Sequence, residues 1–320
     1  MKSFSYTCAL SVETAVTLAS EKNRLLAGGI DLLGELKEGI SEPEMLISIS
    51  RIPGLDGIAR TASGWTIGAN ATLAKLAAHE ELAGALPGLA QAASQVASPQ
   101  IRNVSSVAGN LAQHSRCWYY RHRDIHCLRK GGNACYARDG EHKYHSLFTG
   151  SWCLSPLVSN LAVVLATLDA SVVVRRRDGE TRLTIAQLYA PAWEDPSVHT
   201  ALGAADVITA IEIPFAARRS AFLQMSERAE FDWALVSCAA ALELDGPVVN
   251  SARIALGVVA PVPYRDERAE AFLVGKHLDA SAAESAATLV LEKAEPQPHN
   301  AYKIPIARAL IKRALLQAAS

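Results

Sequence analysis

The chain has 320 residues, of which half are hydrophobic and a fifth are charged, and its formal net charge is −1. This length accommodates more than one domain, and the charge gives no global reason to expect nucleic acid or an anionic membrane as a partner. The N-terminal residues lack the apolar core of a secretory signal, and no apolar run approaches the roughly 20 residues that span a bilayer. We therefore expect no nucleic acid partner and no membrane span. The expected location is cytoplasmic, or periplasmic if a partner subunit carries an export signal.

The first third of the chain predicts strands that alternate with helices. Ser11 is the predicted N-cap of a helix at residues 12–19. The other predicted elements are strands at 4–6, 24–27, 45–49 and 65–68 and helices at 31–38 and 82–96. Such alternation is typical of βαβ units.

Between about residues 98 and 155 the apolar periodicity fades, and Cys, His, Arg, Gly and Tyr become frequent. A loop of this length inside a compact domain is usually functional or disordered. The clustered cysteines and aromatic residues favour a functional loop.

Regular patterns return after residue 155 and change character near residue 215. Apolar periodicity returns at 157–168, and the predicted elements after it are strands at 170–176, 207–213, 221–228, 234–244 and 252–259 and helices at 266–274, 281–293 and 304–318. The last three strands predict a separate antiparallel sheet. The sequence thus predicts an α+β protein with a domain at 1–215, which contains an insertion at about 112–155, and a smaller domain at 216–320.

Two glycines end the predicted strand at 24–27. The motif around them comprises Leu26, Ala27, Gly28, Gly29, Ile30, Asp31 and Leu32. Because glycine has no side chain, the backbone there can approach a ligand and point N–H groups at a phosphate. A tight turn explains the same glycines without a ligand, and the Gly-x-Gly-x-x-Gly pattern of an NAD site is absent. Taken alone, the motif leaves both interpretations open.

A second segment of small and polar residues, at 101–111, leads into the cysteine-rich region. It contains Ser105, Ser106, Gly109 and Asn110, which can supply further hydrogen-bond donors to a diphosphate. A polar turn packed under the domain is the alternative.

Four of the six cysteines, Cys117, Cys127, Cys135 and Cys153, lie in the predicted loop. Thiolates are soft ligands suited to iron–sulfur clusters or zinc. Structural zinc sites usually contain close Cys-x2-4-Cys pairs, which are absent, so the wide spacing favours a bulkier iron–sulfur cubane. Zinc bound with the loop histidines, and metal-free thiols, are the alternatives. The basic residues expected to offset the charge of a cluster are Arg116, Arg121, Arg123, Arg129, Lys130 and Arg138.

Motifs for bond-making catalysis are missing. The sequence contains no nucleophile elbow, Walker loop or His-Glu-x-x-His motif, and its carboxylates are scattered. This absence fits a chain that transfers electrons.

With these motifs in view, the chain resembles the FAD-binding medium subunit of the molybdenum hydroxylases, the xanthine dehydrogenase and carbon monoxide dehydrogenase family. The resemblance covers nearly the whole length and is carried by the motif at 27–33, the segments at 106–111 and 252–263, and the cysteine-rich region. It is greatest to the branch with an extra [4Fe-4S] cluster, as in aldehyde oxidoreductases and 4-hydroxybenzoyl-CoA reductase.

The resemblance implies a two-lobed FAD-binding domain of the vanillyl-alcohol-oxidase type, followed by a smaller domain of antiparallel sheet and helices. FAD would lie between the lobes, with its diphosphate on residues 27–32 and 105–110. Gln113 falls between the second segment and the first cluster cysteine, and Ile208 falls where the family packs an apolar residue near the flavin. Cys117, Cys127, Cys135 and Cys153 would bind the [4Fe-4S] cluster.

Three positions near the implied flavin differ from the family pattern. Ile30 replaces the usual Thr and removes a hydroxyl donor, but it keeps the backbone N–H. Asn160 replaces the usual Asp, and Gln224 replaces a common Lys. The last two changes remove charge and keep hydrogen-bonding capacity.

By this resemblance the chain is an electron-transfer subunit of a heterotrimer. A large partner would hold molybdopterin, a small partner would hold two [2Fe-2S] clusters, and an external acceptor or donor would complete the relay. An aldehyde dehydrogenase or oxidase complex is the expected assembly; an aromatic-CoA reductase and an N-heterocycle dehydrogenase are the alternatives. A stand-alone FAD enzyme of the same fold and a zinc-stabilised interaction module are the competing classes.

Overall fold

The computed structural model describes residues 1–320, in which eleven strands form three sheets. The strands are β1 (Ser5–Cys8), β2 (Asn23–Leu26), β3 (Met45–Ser48), β4 (Ile58–Arg60), β5 (Gly64–Gly68), β6 (Ser171–Arg176), β7 (Gly179–Thr184), β8 (Val207–Pro214), β9 (Arg219–Ser226), β10 (Ala234–Asp245) and β11 (Val248–Gly257).

Helices connect and cover these sheets, and a short 3-10 helix spans Leu128–Lys130. The α-helices are α1 (Val12–Leu18), α2 (Leu32–Lys37), α3 (Leu73–Ala77), α4 (Glu80–Ala85), α5 (Pro87–Ser94), α6 (Pro99–Val104), α7 (Val107–Leu111), α8 (Trp118–Arg121), α9 (Asn160–Leu165), α10 (Ile185–Glu194), α11 (Glu267–Leu273), α12 (Ala280–Leu291) and α13 (Lys303–Ala319). None of them combines the length and the apolar character that crossing a bilayer requires.

The first lobe is a parallel sheet in the order β1-β3-β2, which is the predicted βαβ arrangement. The Ser11 hydroxyl accepts a hydrogen bond from the Thr14 N–H at 3.1 Å, so Ser11 is confirmed as the N-cap of α1. Ile47 of β3 is buried with Val16 of α1 in the core of this lobe. Because β2 ends at Leu26, the Gly-Gly motif leaves the sheet at the carboxyl end of a strand, where parallel sheets commonly bind ligands.

The second lobe is an antiparallel sheet of five strands in the order β4-β5-β8-β6-β7. Strand β8 is central, since it pairs with β5 on one side and β6 on the other. Helix α9 is buried and, apart from Asn160, apolar, and its apolar residues lie in the same core as the inward side chains of this sheet. Strand β8 is also the last strand of this sheet along the chain, and it ends at Pro214, shortly before β9 begins the next unit.

The C-terminal unit is an antiparallel sheet in the order β11-β10-β9, as predicted. Helix α13 packs across β10 and β9, and α12 packs against α13. Alanine and leucine dominate the buried faces of these helices, which lets them lie close to the sheet.

Two predictions in the first half of the chain are wrong. The helix predicted at 82–96 is two helices, because Pro87 occupies the first turn of α5 after α4 has ended. The loop predicted from residue 98 begins with α6 and α7, whose N-caps are the Ser98 and Ser106 hydroxyls. Beyond α7 the chain is largely irregular until residue 155.

Candidate functional site

A cleft of about 680 Å³ is lined by both lobes, the α6–α7 region and part of the C-terminal unit. The fifteen residues that the sequence indicated for cofactor binding all line this cleft: Leu26, Ala27, Gly28, Gly29, Ile30, Asp31, Leu32, Ser105, Ser106, Gly109, Asn110, Gln113, Asn160, Ile208 and Gln224. The fold thus brings distant stretches of the chain to one concave site large enough for a sizeable cofactor.

The two glycines of the motif are required by the fold as well as by any ligand. A Cβ on Gly28 would lie 2.0 Å from the carbonyl oxygen of Val104, so only glycine lets the β2–α2 connection touch the end of α6. Gly29 has a φ of +77°, a left-handed conformation that costs other residues free energy. The close approach holds the two predicted diphosphate segments side by side.

The donors that this arrangement presents are backbone groups. The N–H groups of Gly28, Gly29, Ile30 and Asp31 donate to no acceptor within the chain. The Ser106 hydroxyl caps α7 by accepting from the Gly109 N–H at 3.0 Å. A turn with four unpaired N–H groups on a cleft fits a diphosphate without a basic side chain.

The Asp31 carboxylate is hydrogen-bonded and ion-paired to the cysteine-rich region. It accepts from the backbone N–H of His114 at 2.7 Å and pairs with Arg121 at 2.6 Å and Arg116 at 2.8 Å. Arg116 and Arg121, which the sequence analysis predicts to offset a cluster's charge, thus both pair with Asp31 in the structure. Among the basic residues of the loop, Arg129 alone lines the cysteine cavity described below.

Glu35 of α2 forms a second link to the same region. Its carboxylate is 1% exposed and lies 2.9 Å from both His114 Nδ1 and the Tyr120 hydroxyl. Burial alone would raise the pKa of Glu35, but hydrogen bonds and the charges of His114 and Arg121 outweigh it and lower the pKa below its ordinary value. Helix α2 is thus joined to the chain around Cys117 by buried, satisfied polar contacts.

The oxygens of Asp31 and Glu35 and the His114 ring nitrogen lie within 4.8 Å of one another. Their existing partners account for this cluster without a metal, since arginine, histidine and tyrosine donors already contact both carboxylates.

Four further side chains that line the cleft are uncharged. Asn160 Nδ2 donates to Gln224 Oε1 at 2.9 Å, so the two positions that depart from the family pattern are bonded to each other. Gln113 donates to the carbonyl of Asn110 at 2.7 Å, which turns it back towards the α7 segment. Ile208 is buried and supplies an apolar surface.

Sequence reasoning missed several residues of the cleft. His199 stacks on His114 at 4.0 Å between ring centroids, and its Nε2 finds no hydrogen-bond partner. Burial lowers the pKa of His199 well below its ordinary value, so its imidazole is neutral. Trp233 also lines the cleft and stacks under the Arg116 guanidinium at 5.0 Å. Both residues belong to irregular connections without a motif, so no sequence signal marked them.

The four cysteines of the loop converge on one small cavity. It is lined by Cys117, Cys127, Cys135 and Cys153 together with Arg129 and mostly apolar or aromatic groups. No three of the sulfur atoms lie within 4.8 Å of one another. Four sulfurs bound to a single zinc ion at about 2.3 Å are closer together than this, so the arrangement fits a multi-iron cluster better than zinc.

Burial and mutual proximity shape the acidity of these thiols. Burial raises the pKa of Cys117 to about 12. The pKa of Cys153 is lowered, because the Cys135 thiol hydrogen-bonds to it and the charge of Arg129 favours its thiolate. Two of the four cysteines, Cys127 and Cys153, are buried and the other two are half-buried, so the four thiols are poorly suited to ionise together unless a bound cation compensates the charge.

His145 contacts one of the four cysteines, and Lys303 of the C-terminal unit fixes the backbone of His145. His145 Nε2 lies 3.1 Å from Cys117 Sγ, and burial together with the Lys303 charge lowers the pKa of His145 to about 4. Lys303 is fully buried at the start of α13, and its Nζ donates to the carbonyls of Tyr144, His145 and Val258 at 2.9–3.0 Å. Burial lowers the pKa of Lys303 to about 7, while its three carbonyl acceptors favour the charged form.

Two family models match almost the whole chain. The FAD binding domain in molybdopterin dehydrogenase matches residues 2–216, and the CO dehydrogenase flavoprotein C-terminal domain matches residues 220–318. The chain therefore belongs to the family of FAD-binding subunits of the molybdenum hydroxylases, of the carbon monoxide dehydrogenase and xanthine dehydrogenase type. It is an oxidoreductase subunit that binds FAD.

Individual relatives extend over the same length. The chain is 33% identical over 328 residues to the aldehyde oxidoreductase FAD-binding subunit of Escherichia coli strain K12. This match covers 99% of each of the two chains. It is 28% identical to the carbon monoxide dehydrogenase medium chain of Hydrogenophaga pseudoflava, with 98% of this chain and 96% of the relative covered.

Solved structures confirm the predicted α+β architecture of two domains. Quinoline 2-oxidoreductase from Pseudomonas putida 86 superimposes with a TM-score of 0.78 at 26% identity, over 99% of this chain and 97% of that chain. Carbon monoxide dehydrogenase from Hydrogenophaga pseudoflava superimposes with a TM-score of 0.76 at 28% identity, over 98% and 96% of the two chains.

Proposed function

We propose that the chain is the electron-transfer subunit of a heterotrimeric molybdenum hydroxylase and that it holds a [4Fe-4S] cluster beside its FAD. The observation that carries the cluster is the convergence of Cys117, Cys127, Cys135 and Cys153 on one cavity. In this assignment residues 1–215 form the FAD-binding domain, residues 112–155 form its iron–sulfur insertion, and residues 216–320 form the C-terminal domain.

The cleft residues bind and orient FAD in this proposal. The free N–H groups from Gly28 to Asp31 hold the diphosphate, and Ser105, Ser106, Gly109 and Asn110 complete its surroundings. Asn160 and Gln224 carry no charge, so they orient a neighbour by hydrogen bonds alone. Bound FAD and the cluster supply the redox chemistry, which belongs to the cofactors and not to the side chains.

The contacts of Asp31 and Glu35 support placing both cofactors in one relay. These two carboxylates join the diphosphate turn and α2 to the segment around Cys117. The two sites therefore sit on one packed unit and do not need a conformational change to come together.

The names of the relatives support the heterotrimer. They include a FAD-binding subunit of an aldehyde oxidoreductase and medium chains of carbon monoxide dehydrogenases. We assign a molybdopterin-binding large subunit and a small [2Fe-2S] subunit as partners, and an external electron acceptor or donor. The substrate is oxidised on the large subunit, and the relative at 33% identity favours an aldehyde as that substrate.

The test is the cofactor content of the complex purified with its two partners. We expect one FAD, with a spectrum that bleaches on reduction, and roughly four irons beyond those of the two [2Fe-2S] clusters. About four irons in total, or zinc in place of the extra iron, would contradict the cluster. Purification of the chain as an active monomer would favour the stand-alone flavoenzyme.

A further inference from the structure

We propose that His145 and Arg129 set the reduction potential of the cluster by placing a hydrogen-bond donor and a positive charge against its cysteine ligands. The inference rests on the cluster of the proposed function. It assigns both residues as positioning residues that act through Cys117 and Cys153.

If Cys117 is a cluster ligand, the donor and the acceptor in its hydrogen bond with His145 are determined. His145 Nε2 lies 3.1 Å from Cys117 Sγ, and the side chain is 2% exposed. A metal-bound thiolate carries no proton, so the hydrogen of this contact must reside on the imidazole nitrogen. An N–H···S bond withdraws electron density from the ligand sulfur, which favours the reduced cluster.

The position of His145 is fixed from outside the loop. Its carbonyl accepts from Lys303 Nζ at 3.0 Å and from Asn300 Nδ2 at 3.3 Å, and both donors are fully buried. The imidazole is therefore held at Cys117 by the C-terminal domain and does not depend on the conformation of the loop alone.

Arg129 contributes a charge that forms no salt bridge within the chain, and the one carboxylate whose pKa its charge lowers, Asp195, is exposed to solvent. The residue is 7% exposed and lines the cavity, its Nε has no hydrogen-bond partner, and one Nη donates to the carbonyl of Val198 at 2.9 Å. A buried guanidinium without a carboxylate is costly unless an anion lies beside it. Four thiolates around an iron–sulfur core supply that anion, and an added electron is stabilised further by the same charge.

The test is a redox titration of the holo-complex followed by electron paramagnetic resonance, with the [2Fe-2S] clusters and the FAD as internal references. His145→Leu and Arg129→Gln are each expected to lower the ratio of reduced to oxidised [4Fe-4S] cluster about tenfold at a fixed potential, a shift of about 59 mV for one electron. His145→Gln and Arg129→Lys keep a donor or a charge and should recover part of the shift. His122→Leu and Arg123→Gln, exposed residues of the same loop, should leave the potential unchanged.

The outcomes separate this inference from the proposed function. If the wild-type complex lacks the extra iron, the cluster itself is refuted. Variants that retain the iron and titrate like wild type overturn the inference and leave the cluster in place. Loss of iron in both variants at one position also overturns it, because the residue is then a structural support. A shift that appears equally in the [2Fe-2S] clusters contradicts a local effect.

Discussion

The cleft proposed to bind FAD and the cysteine cavity lie side by side but are built in different ways. The cleft presents backbone N–H groups from Gly28 to Asp31 and uncharged side chains such as Asn160 and Gln224. The cavity presents side-chain atoms from an irregular stretch that is held by buried polar contacts on two sides. Asp31 and Glu35 hold one side of that stretch, and Lys303 holds the other.

The difference predicts where each site tolerates substitution. Backbone donors survive a change of side chain as long as the turn keeps its shape, so Ile30 can replace Thr at the diphosphate turn. Ligands and buried ion pairs depend on particular side-chain atoms, so the cysteine cavity and its supports should not tolerate replacement.

The largest effect is expected for Cys117→Ser. A serine oxygen is a poor ligand for iron in this setting, so the variant should lose the roughly four irons assigned to the cluster while the [2Fe-2S] iron remains. Iron analysis and the visible spectrum of the purified complex measure this. Cys8→Ser is the matched control, since Cys8 lies in β1 away from the cavity, and it should keep all the iron. Full iron content in Cys117→Ser would remove this thiol from the ligand set.

The next effect is expected for Glu35→Gln, which breaks a buried charged contact between α2 and the cysteine-rich region. We expect the free energy of unfolding to fall by about 3 kcal/mol at pH 7. The pKa of Glu35 is lowered in the fold, so its stabilisation is present above the ordinary value of 4.5 and is lost as the pH falls through the folded pKa. The variant should therefore lose less stability than wild type on acidification below pH 4.5.

Urea unfolding at several pH values measures both parts of this prediction. Glu38→Gln is the control, because Glu38 follows the same helix and is exposed. Equal acid sensitivity of Glu35→Gln and wild type would show that Glu35 does not carry the link.

A smaller but clear effect is expected for Gly28→Ala. The added Cβ would lie 2.0 Å from the Val104 carbonyl oxygen and must push the diphosphate turn away from α6. We expect a loss of about 2 kcal/mol in stability and more than tenfold weaker FAD binding. Gly84→Ala, in α4, meets nothing within 4 Å and should be neutral or slightly stabilising. Unchanged flavin affinity in Gly28→Ala would contradict the role of this close approach.

The smallest effect is expected for Ile30→Thr. The side chain at this position is 42% exposed on the cleft, and a hydroxyl there adds at most one hydrogen bond to FAD. Such a bond contributes about 1 kcal/mol, so FAD affinity should rise by less than tenfold. Fluorescence titration of the flavin-free protein measures this, with Ile30→Val as a control of similar shape. A rise of a hundredfold or more would mean that the backbone donors alone do not dominate binding.

Local signals made part of the molecule predictable. The strand–Gly-Gly–helix pattern indicates the turn at Gly28, and the four cysteines indicate the cavity. Both could be predicted because the residues of each motif lie in one stretch of the sequence. Strand β7 and helix α10 were missed: β7 is a polar, partly exposed edge strand, and Pro191 interrupts the pattern of α10. The capping box of Thr184 and Gln187 was the available signal for α10.

The contacts that join the two sites could not be predicted in the same way. Arg121 and Asp31 are 90 residues apart, and Lys303 and His145 are 158 residues apart. Side-chain pairs at such separations leave no periodicity in the sequence, so the sequence alone indicates only the nearby thiolates as partners of the arginines. In the structure Arg116 and Arg121 both pair with Asp31, because the fold places that carboxylate within reach of their guanidinium groups.

The buried ammonium of Lys303 has a consequence for how the protein is made. The carbonyl of His145 meets its donor only when residue 303 has been synthesised, 158 residues later. At translation rates of 5–20 residues per second this interval lasts roughly 8 to 30 seconds. The last of the four thiols, Cys153, is added eight residues after His145, so all four are present for most of that time without the contact from Lys303. The cluster proposed above would therefore have an interval for insertion before the final helix docks.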